Sequence, residues 1–159
     1  MRHTLAVLVE NQPGVLSHVS GLFARRGYNI ESLVVSETED PGISRITLVV
    51  EGDEQVIEQV SKQLNKQVEV IKVNDLTEEK TVDRQLMLLK VAAEPNVRQE
   101  IMQIVEIFRC RIVDIGKRSL IVEATGDEEK IEAIIRSLRP FGIQELVKTG
   151  KVAMVRGAK

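Results

Sequence analysis

Apolar and polar positions in the first half of the chain switch between the strand period and the helical period. Short apolar or alternating runs predict four strands, at residues 4–9, 28–36, 43–51 and 68–73. Between them, apolar residues at helical spacing give two amphipathic segments, Val15–Phe23 and Val56–Leu64. The order strand, helix, strand, strand, helix, strand predicts a ferredoxin-like βαββαβ unit.

The second half repeats this order with different residues. Strands are predicted at 85–92, 111–115, 119–125 and 143–148, with one helix opened by Pro95 and another capped by Asp127. The predicted fold class is therefore α+β, with two tandem ferredoxin-like βαββαβ sandwiches. We place these domains at residues 1–75 and 84–159, joined by a polar linker at 76–83. Residues 150–159 are expected to form a basic tail.

The turn between the first strand and the first helix has the composition of a helix start. Pro13 fits the first helical position, where a missing N–H removes no hydrogen bond. Asn11 or Gln12 then lies at or near the cap, and Asn is the better capping residue. Gly27, after two arginines, is typical of the helix end.

Composition excludes several functional classes. The net charge is −2 with acidic and basic residues mixed, and aromatic residues make up 3%, so neither a basic patch nor a base-stacking surface for nucleic acid is expected. A single cysteine, Cys110, is typical of a reducing compartment, and we expect a cytoplasmic protein. No apolar run approaches the length of a membrane helix, and the N-terminal run does not resemble a signal peptide.

The sequence contains no recognisable catalytic or metal-binding set. His3, at the expected frayed start of a strand, and His18, expected to be solvated, have no partner at metal-ligand spacing. Arg109 and Arg111 can lower the pKa of Cys110, although a small half-buried residue is the plainer interpretation. Acidic residues fall in turns and at helix starts, where they cap and solubilise. We therefore expect no catalytic residue and no metal site.

The turn Asn11–Leu16 is the strongest candidate for binding a small molecule. The backbone N–H groups of Gly14, Val15 and Leu16 belong to the first turn of a helix, so they are expected to be free for a carboxylate. Gly14 lets a ligand approach the backbone, and the Asn11 amide can accept from an ammonium group or donate to a carboxylate. Together these groups suit a zwitterion. The alternative is a well-formed helix start that binds nothing.

Asn29 lies at the start of a predicted strand, where asparagine is uncommon. It either shapes the end of the preceding helix or turns its amide into a binding cleft.

The longest motifs now indicate a family. The chain resembles the ACT domain of the small, regulatory subunit of acetolactate synthase through two blocks, Glu10-Asn11-x-x-Gly14-x-Leu16 and Gly21-Leu22-Phe23-x-x-Arg26-Gly27-Tyr28-Asn29-Ile30-Glu31-Ser32-Leu33. Shorter similar segments are the turn with Pro41, Ser44–Thr47 and Glu106–Arg109. The resemblance covers essentially the whole chain.

The resemblance implies a regulatory protein of branched-chain amino acid biosynthesis. It implies an N-terminal ACT domain and a ferredoxin-like C-terminal domain, a homodimer formed through the ACT domains, and effector sites at the dimer interface. The effector is expected to be valine, which inhibits the pathway by feedback. The partner is a large catalytic subunit that uses thiamine diphosphate, Mg²⁺ and FAD and is activated by the small subunit, which itself holds no cofactor.

Effector-binding residues follow from the same resemblance. It implies that valine contacts one chain at Asn11, Pro13, Gly14, Val15 and Leu16, and the neighbouring chain at Asn29 and Ile30. One departure is His18, where many relatives have arginine, so a charge-based role at that position is in doubt.

Two other functions remain as alternatives. The first is a stand-alone, double-domain amino-acid sensor for another pathway. The second is a small ferredoxin-like enzyme of acylphosphatase type. The latter needs an arginine in its phosphate loop, and the first loop here has none.

Overall fold

The computed structural model describes residues 1–157 and contains two α/β units. The elements of the first unit are β1 (Arg2–Glu10), α1 (Val15–Arg26), β2 (Asn29–Glu37), β3 (Ile43–Glu51), α2 (Glu54–Asn65) and β4 (Val70–Asp75). Its strands pair in the order β2-β3-β1-β4, and every neighbouring pair is antiparallel. This is the strand order of a ferredoxin-like sandwich.

The second unit repeats the arrangement. Its elements are β5 (Thr81–Ala92), α3 (Arg98–Ile107), β6 (Arg111–Ile115), β7 (Ser119–Gly126), α4 (Glu128–Leu138), a single 3₁₀ turn (Arg139–Phe141) and β8 (Ile143–Lys148), and a last strand, β9 (Val152–Val155), follows. The sheet order is β6-β7-β5-β8, with β9 also paired to β5. The predicted fold class of two tandem βαββαβ sandwiches is confirmed.

The core of the first unit lies between the sheet and its two helices. Alternate residues of β1, Leu5, Val7 and Val9, are fully buried, because a strand directs every second side chain to the same face. They pack with the apolar stripe of α1 and α2, which includes Phe23. The Phe23 ring meets Tyr28 edge to face, with centroids 6.1 Å apart. Packing on this side fixes the position of α1 and of the turn that precedes it.

Helix starts divide into those with a side-chain cap and those without. Asp53 and Asp127 each accept a hydrogen bond from a backbone N–H three residues on, at 2.9 Å, which confirms the cap predicted at Asp127. The start predicted at Pro95 is wrong, since α3 begins at Arg98. A turn closed by the Val97 N–H and the Glu94 carbonyl occupies the intervening residues.

The segment predicted as a linker is shorter than expected. β5 already begins at Thr81, and Leu76 is buried. The polar composition of residues 76–83 hid this order, because an alternating strand with charged outer residues resembles a loop in sequence.

The C-terminal strand belongs to the first unit, whereas the sequence placed residues 151–159 in the second domain. Ala153 packs against Ala6 and Leu76. Its carbonyl accepts from the Arg45 guanidinium at 2.6 Å, and the Lys151 N–H donates to Ser32 Oγ at 3.1 Å. These contacts lie on the face of the sheet that α1 and α2 do not cover.

We predict that ending the chain after Gly150 destabilises the first unit. The loss of the Ala153 packing and of two hydrogen bonds should lower its free energy of unfolding by about 1–3 kcal/mol. Tyr28 is the only tyrosine and there is no tryptophan, so intrinsic fluorescence in a urea titration reports on this unit. A chain ending at Gly157 is the control, and equal midpoints for the two truncations would contradict the prediction.

Candidate functional site

The turn between β1 and α1 is built on Gly14. Gly14 is the cap of α1, with φ 86° and ψ −8°, and no side chain caps the helix. The predictions that Pro13 opens the helix and that Asn11 or Gln12 caps it are therefore wrong. Glycine adopts this left-handed conformation without the penalty that a Cβ brings, and that freedom moves the helix start to Val15.

The turn carries backbone donors that no side chain of the described residues caps. Within residues 1–157, the N–H groups of Gly14, Leu16 and Ser17 have no hydrogen-bond acceptor. The Val15 N–H, which the sequence predicts to be free, instead donates to the Gln12 carbonyl at 3.4 Å. The first turn of α1 contains no acidic residue, so the positive end of the helix dipole is not neutralised from within the helix. The arrangement suits a carboxylate.

The space around the turn is open. A Cβ added to Gly14 would meet no atom within 4 Å. Leu16 is 43% exposed, whereas the Val15 side chain is buried in the core. Val15 therefore anchors the turn, and Leu16 offers an apolar surface next to the free donors.

Asn11 has its amide nitrogen engaged elsewhere in the fold. Its Nδ2 donates to the Pro41 carbonyl at 2.9 Å and to Glu37 Oε1 at 3.2 Å, and its backbone N–H donates to the Gly42 carbonyl at 2.9 Å. These bonds tie the β2–β3 turn to the loop. The amide nitrogen is therefore used within the fold, while the side-chain oxygen makes no hydrogen bond within residues 1–157.

Asn29 and Ile30 lie at the other end of α1. They open β2, with Asn29 exposed and Ile30 half-buried against the core. α1 has 12 residues and separates them from the Gly14 turn by about 18 Å. One chain therefore brings Asn11–Leu16 together but does not add Asn29 and Ile30 to them.

His18 has a partner that the sequence did not indicate. Its Nδ1 lies 3.0 Å from Glu69 Oε1, on the segment before β4, while the side chain stays 63% exposed, so the expected solvated His18 is confirmed and has a surface partner as well. The pKa of Glu69 is lowered, mainly by its own backbone N–H and next by the His18 imidazole. This pair, 51 residues apart in sequence, places the Glu69 carboxylate beside His18 near the start of α1.

The other candidates for chemistry have surroundings that differ from those expected from sequence. Cys110 is half-buried, and burial raises its thiol pKa, which opposes the lowering expected from the neighbouring arginines. His3 is 3% exposed rather than frayed. In the described range 1–157, no group of three histidine, cysteine or acidic side chains is placed to hold a metal ion.

Comparison with known proteins accounts for both units. The family model described as the small subunit of acetolactate synthase matches residues 84–157, and that described as the AHAS small subunit-like ACT domain matches residues 5–72. The probable acetolactate synthase small subunit of Archaeoglobus fulgidus is 58% identical over 159 residues, which are 100% of this chain and 99% of that protein. The chain belongs to the acetolactate synthase small-subunit family.

Further relatives agree with this membership. The acetolactate synthase small subunit of Mycobacterium leprae is 50% identical and covers 99% of this chain and 93% of its own length. The crystal structure of the small subunit from Thermotoga maritima superposes with a TM-score of 0.91 at 44% identity, covering 100% of this chain and 99% of that one. The family resemblance predicted from sequence is thus confirmed. Among the residues described, no helix is long and apolar enough to cross a membrane.

We predict that Asn11→Ala loosens the β2–β3 turn. Removing both side-chain hydrogen bonds should lower the free energy of unfolding by about 1 kcal/mol, measured by Tyr28 fluorescence in urea. The matched control is Gln12→Ala, because the exposed Gln12 side chain makes no hydrogen bond within residues 1–157. Equal stabilities of the two variants would show that the Asn11 amide does not hold the turn.

Proposed function

We propose that this chain is a regulatory subunit that binds valine between two copies of its first unit. It controls a separate catalytic acetolactate synthase chain, which it activates and makes sensitive to feedback inhibition by valine. The observation that carries the proposal is the open Gly14 turn, with N–H groups at the positive end of α1 that have no acceptor in the described chain, 1–157. Family membership supports the same function.

The turn offers complementary groups for each part of an amino acid. The Gly14 and Leu16 N–H groups donate to the carboxylate, the guest favoured at a helix start. The Asn11 side-chain oxygen accepts from the ammonium group while its nitrogen holds the β2–β3 turn. The exposed Leu16 side chain packs against a small branched side chain such as that of valine.

A second copy supplies Asn29 and Ile30 through the edge strand β2. Within residues 1–157, β2 pairs with β3 and with no other strand, so its outer edge can pair with the β2 of another chain. An antiparallel pairing centred near Leu33 places Asn29 of the second copy opposite Glu37. Glu37 in turn lies 3.2 Å from the Asn11 amide nitrogen. Two-fold pairing of β2 thus brings Asn29 of one copy close to the Gly14 turn of the other, although α1 separates the two by about 18 Å within one chain.

The chemistry belongs to the partner in this proposal. The catalytic chain carries thiamine diphosphate, Mg²⁺ and FAD, and this chain binds none of them and catalyses no step. Valine at the seam shifts the packing of the paired first units. The coupling free energy between valine binding and the state of the catalytic chain is about 1–3 kcal/mol.

We predict that Gly14→Asp abolishes valine sensitivity, because a carboxylate beside the free donors repels that of the ligand. Valine affinity, measured calorimetrically on the full chain, should fall more than about tenfold. Inhibition of the holoenzyme reconstituted with its catalytic chain should be lost in parallel.

Gly14→Asn is the matched control for this variant. Asparagine and aspartate both tolerate positive φ better than other non-glycine residues, so the two variants share shape and backbone strain and differ in charge. Gly14→Asn should retain more affinity than Gly14→Asp. An unchanged response to valine in Gly14→Asp would refute the site.

We predict that Val35→Glu separates the dimer. Val35, on β2, is 37% exposed, and two-fold pairing brings the two introduced carboxylates to one seam. Sedimentation should show a dissociation constant raised by about tenfold or more. Val113→Glu on β6, the corresponding edge strand of the second unit, is the control. Dissociation by Val113→Glu alone would place the interface in the second unit instead.

A further inference from the structure

A cleft of about 380 Å³ lies in the first unit, between the start of β1, the first half of α2 and the loop after β4. Its polar lining consists of His3, Ser61, Thr77 and four carboxylates, which belong to Glu54, Glu58, Asp75 and Glu78. His3 is eight residues before Asn11 along β1, so the cleft lies about 25 Å from the Gly14 turn. It is a separate site from that proposed for valine.

His3 combines burial with an unused nitrogen. The residue is 97% buried, since 3% of its surface is exposed. Nδ1 lies 3.3 Å from Thr77 Oγ1, whereas Nε2 is buried and has no hydrogen-bond partner within residues 1–157. A buried polar atom without a partner is unusual in a folded protein and points to a missing group.

The neighbouring hydrogen bonds determine which nitrogen carries the proton. Thr77 Oγ1 has one hydrogen, which it donates to Asp75 Oδ1 at 2.5 Å. The same oxygen accepts from the Thr4 backbone N–H at 3.2 Å, so its remaining lone pair can only accept from His3. Nδ1 is therefore a donor. In the neutral tautomer with its proton on Nδ1, Nε2 is an acceptor and needs a donor.

The negative charge of the cleft and the lone pair of Nε2 both favour a positively charged ligand that donates a hydrogen bond. A group that donates N–H and carries positive charge satisfies both the lone pair and the carboxylates. Glu58 is already paired with Lys62 Nζ at 3.3 Å, while Glu54, Asp75 and Glu78 add three more acidic groups. Because no three metal-ligating side chains converge in the described part of the chain, the fitting guest is an organic cation rather than a metal ion.

We propose that this cleft binds an alkylammonium group, which donates to His3 Nε2 and faces the four carboxylates. Such a group is carried by a free diamine or by a lysine side chain of a bound polypeptide. The site is independent of the valine proposal, because it shares no residue with the Gly14 turn.

The test uses the full chain labelled with ¹⁵N and follows the two imidazoles, which belong to the only two histidines. A His18→Gln variant assigns the signals. Putrescine and N-acetyl-lysine methylamide are added separately at constant ionic strength, with KCl as the reference. We expect the unprotonated Nε2 signal of His3 to move saturably with an ammonium ligand and not with KCl. A response to putrescine alone identifies a free diamine, and a response to the lysine analogue identifies the side-chain source.

Charge variants distinguish a site from general attraction. Glu54→Gln combined with Glu78→Gln should weaken binding about fivefold or more. Glu128→Gln is the matched control, because Glu128 opens α4 directly after its Asp127 cap as Glu54 opens α2 after Asp53. Affinity should be unchanged in that variant. A His3 signal that is indifferent to both amines, or an equal loss of binding in all variants, would overturn the proposal.

Discussion

The proposed effector site depends on one backbone conformation, the left-handed Gly14 at the junction of β1 and α1. That conformation starts the helix without a side-chain cap, and the Gly14, Leu16 and Ser17 N–H groups find no acceptor within residues 1–157. An aspartate cap, as at α2 and α4, would occupy one such donor and place negative charge beside the others. Comparison of the starts of α1, α2 and α4 thus shows that the cap residue determines whether a helix start has its donors bonded by a side chain or leaves them available to a ligand.

Contacts on both sides of the turn fix its backbone conformation. Val15 is packed in the core behind it, and Asn11 joins it to the β2–β3 turn. The donors are therefore held in place before any ligand arrives, which reduces the ordering that binding requires. The turn is also connected to the edge of the sheet. Glu37, on the edge strand β2, contacts the Asn11 side chain.

The strands and helices with a strong period were predictable from sequence. β3, the Asp53 and Asp127 caps and the order of elements follow from local residue patterns. The Gly14 turn was recognisable as a binding candidate, but its hydrogen bonds were not. Asn11 reaches Pro41, 30 residues away, and His18 reaches Glu69, so these contacts depend on the assembled sheet rather than on neighbours in sequence. For Cys110, burial raises the thiol pKa and outweighs the lowering by Lys130, a contact that only the packed structure reveals.

The return of β9 to the first unit has a consequence for how the chain matures. Domains made early in translation commonly fold before later ones emerge from the ribosome. Here the residues that cover Ala6 are synthesised after the whole second unit. The first unit is therefore completed only after the second has been made, and a nascent chain holds an uncovered patch of the first sheet until β9 has left the ribosome.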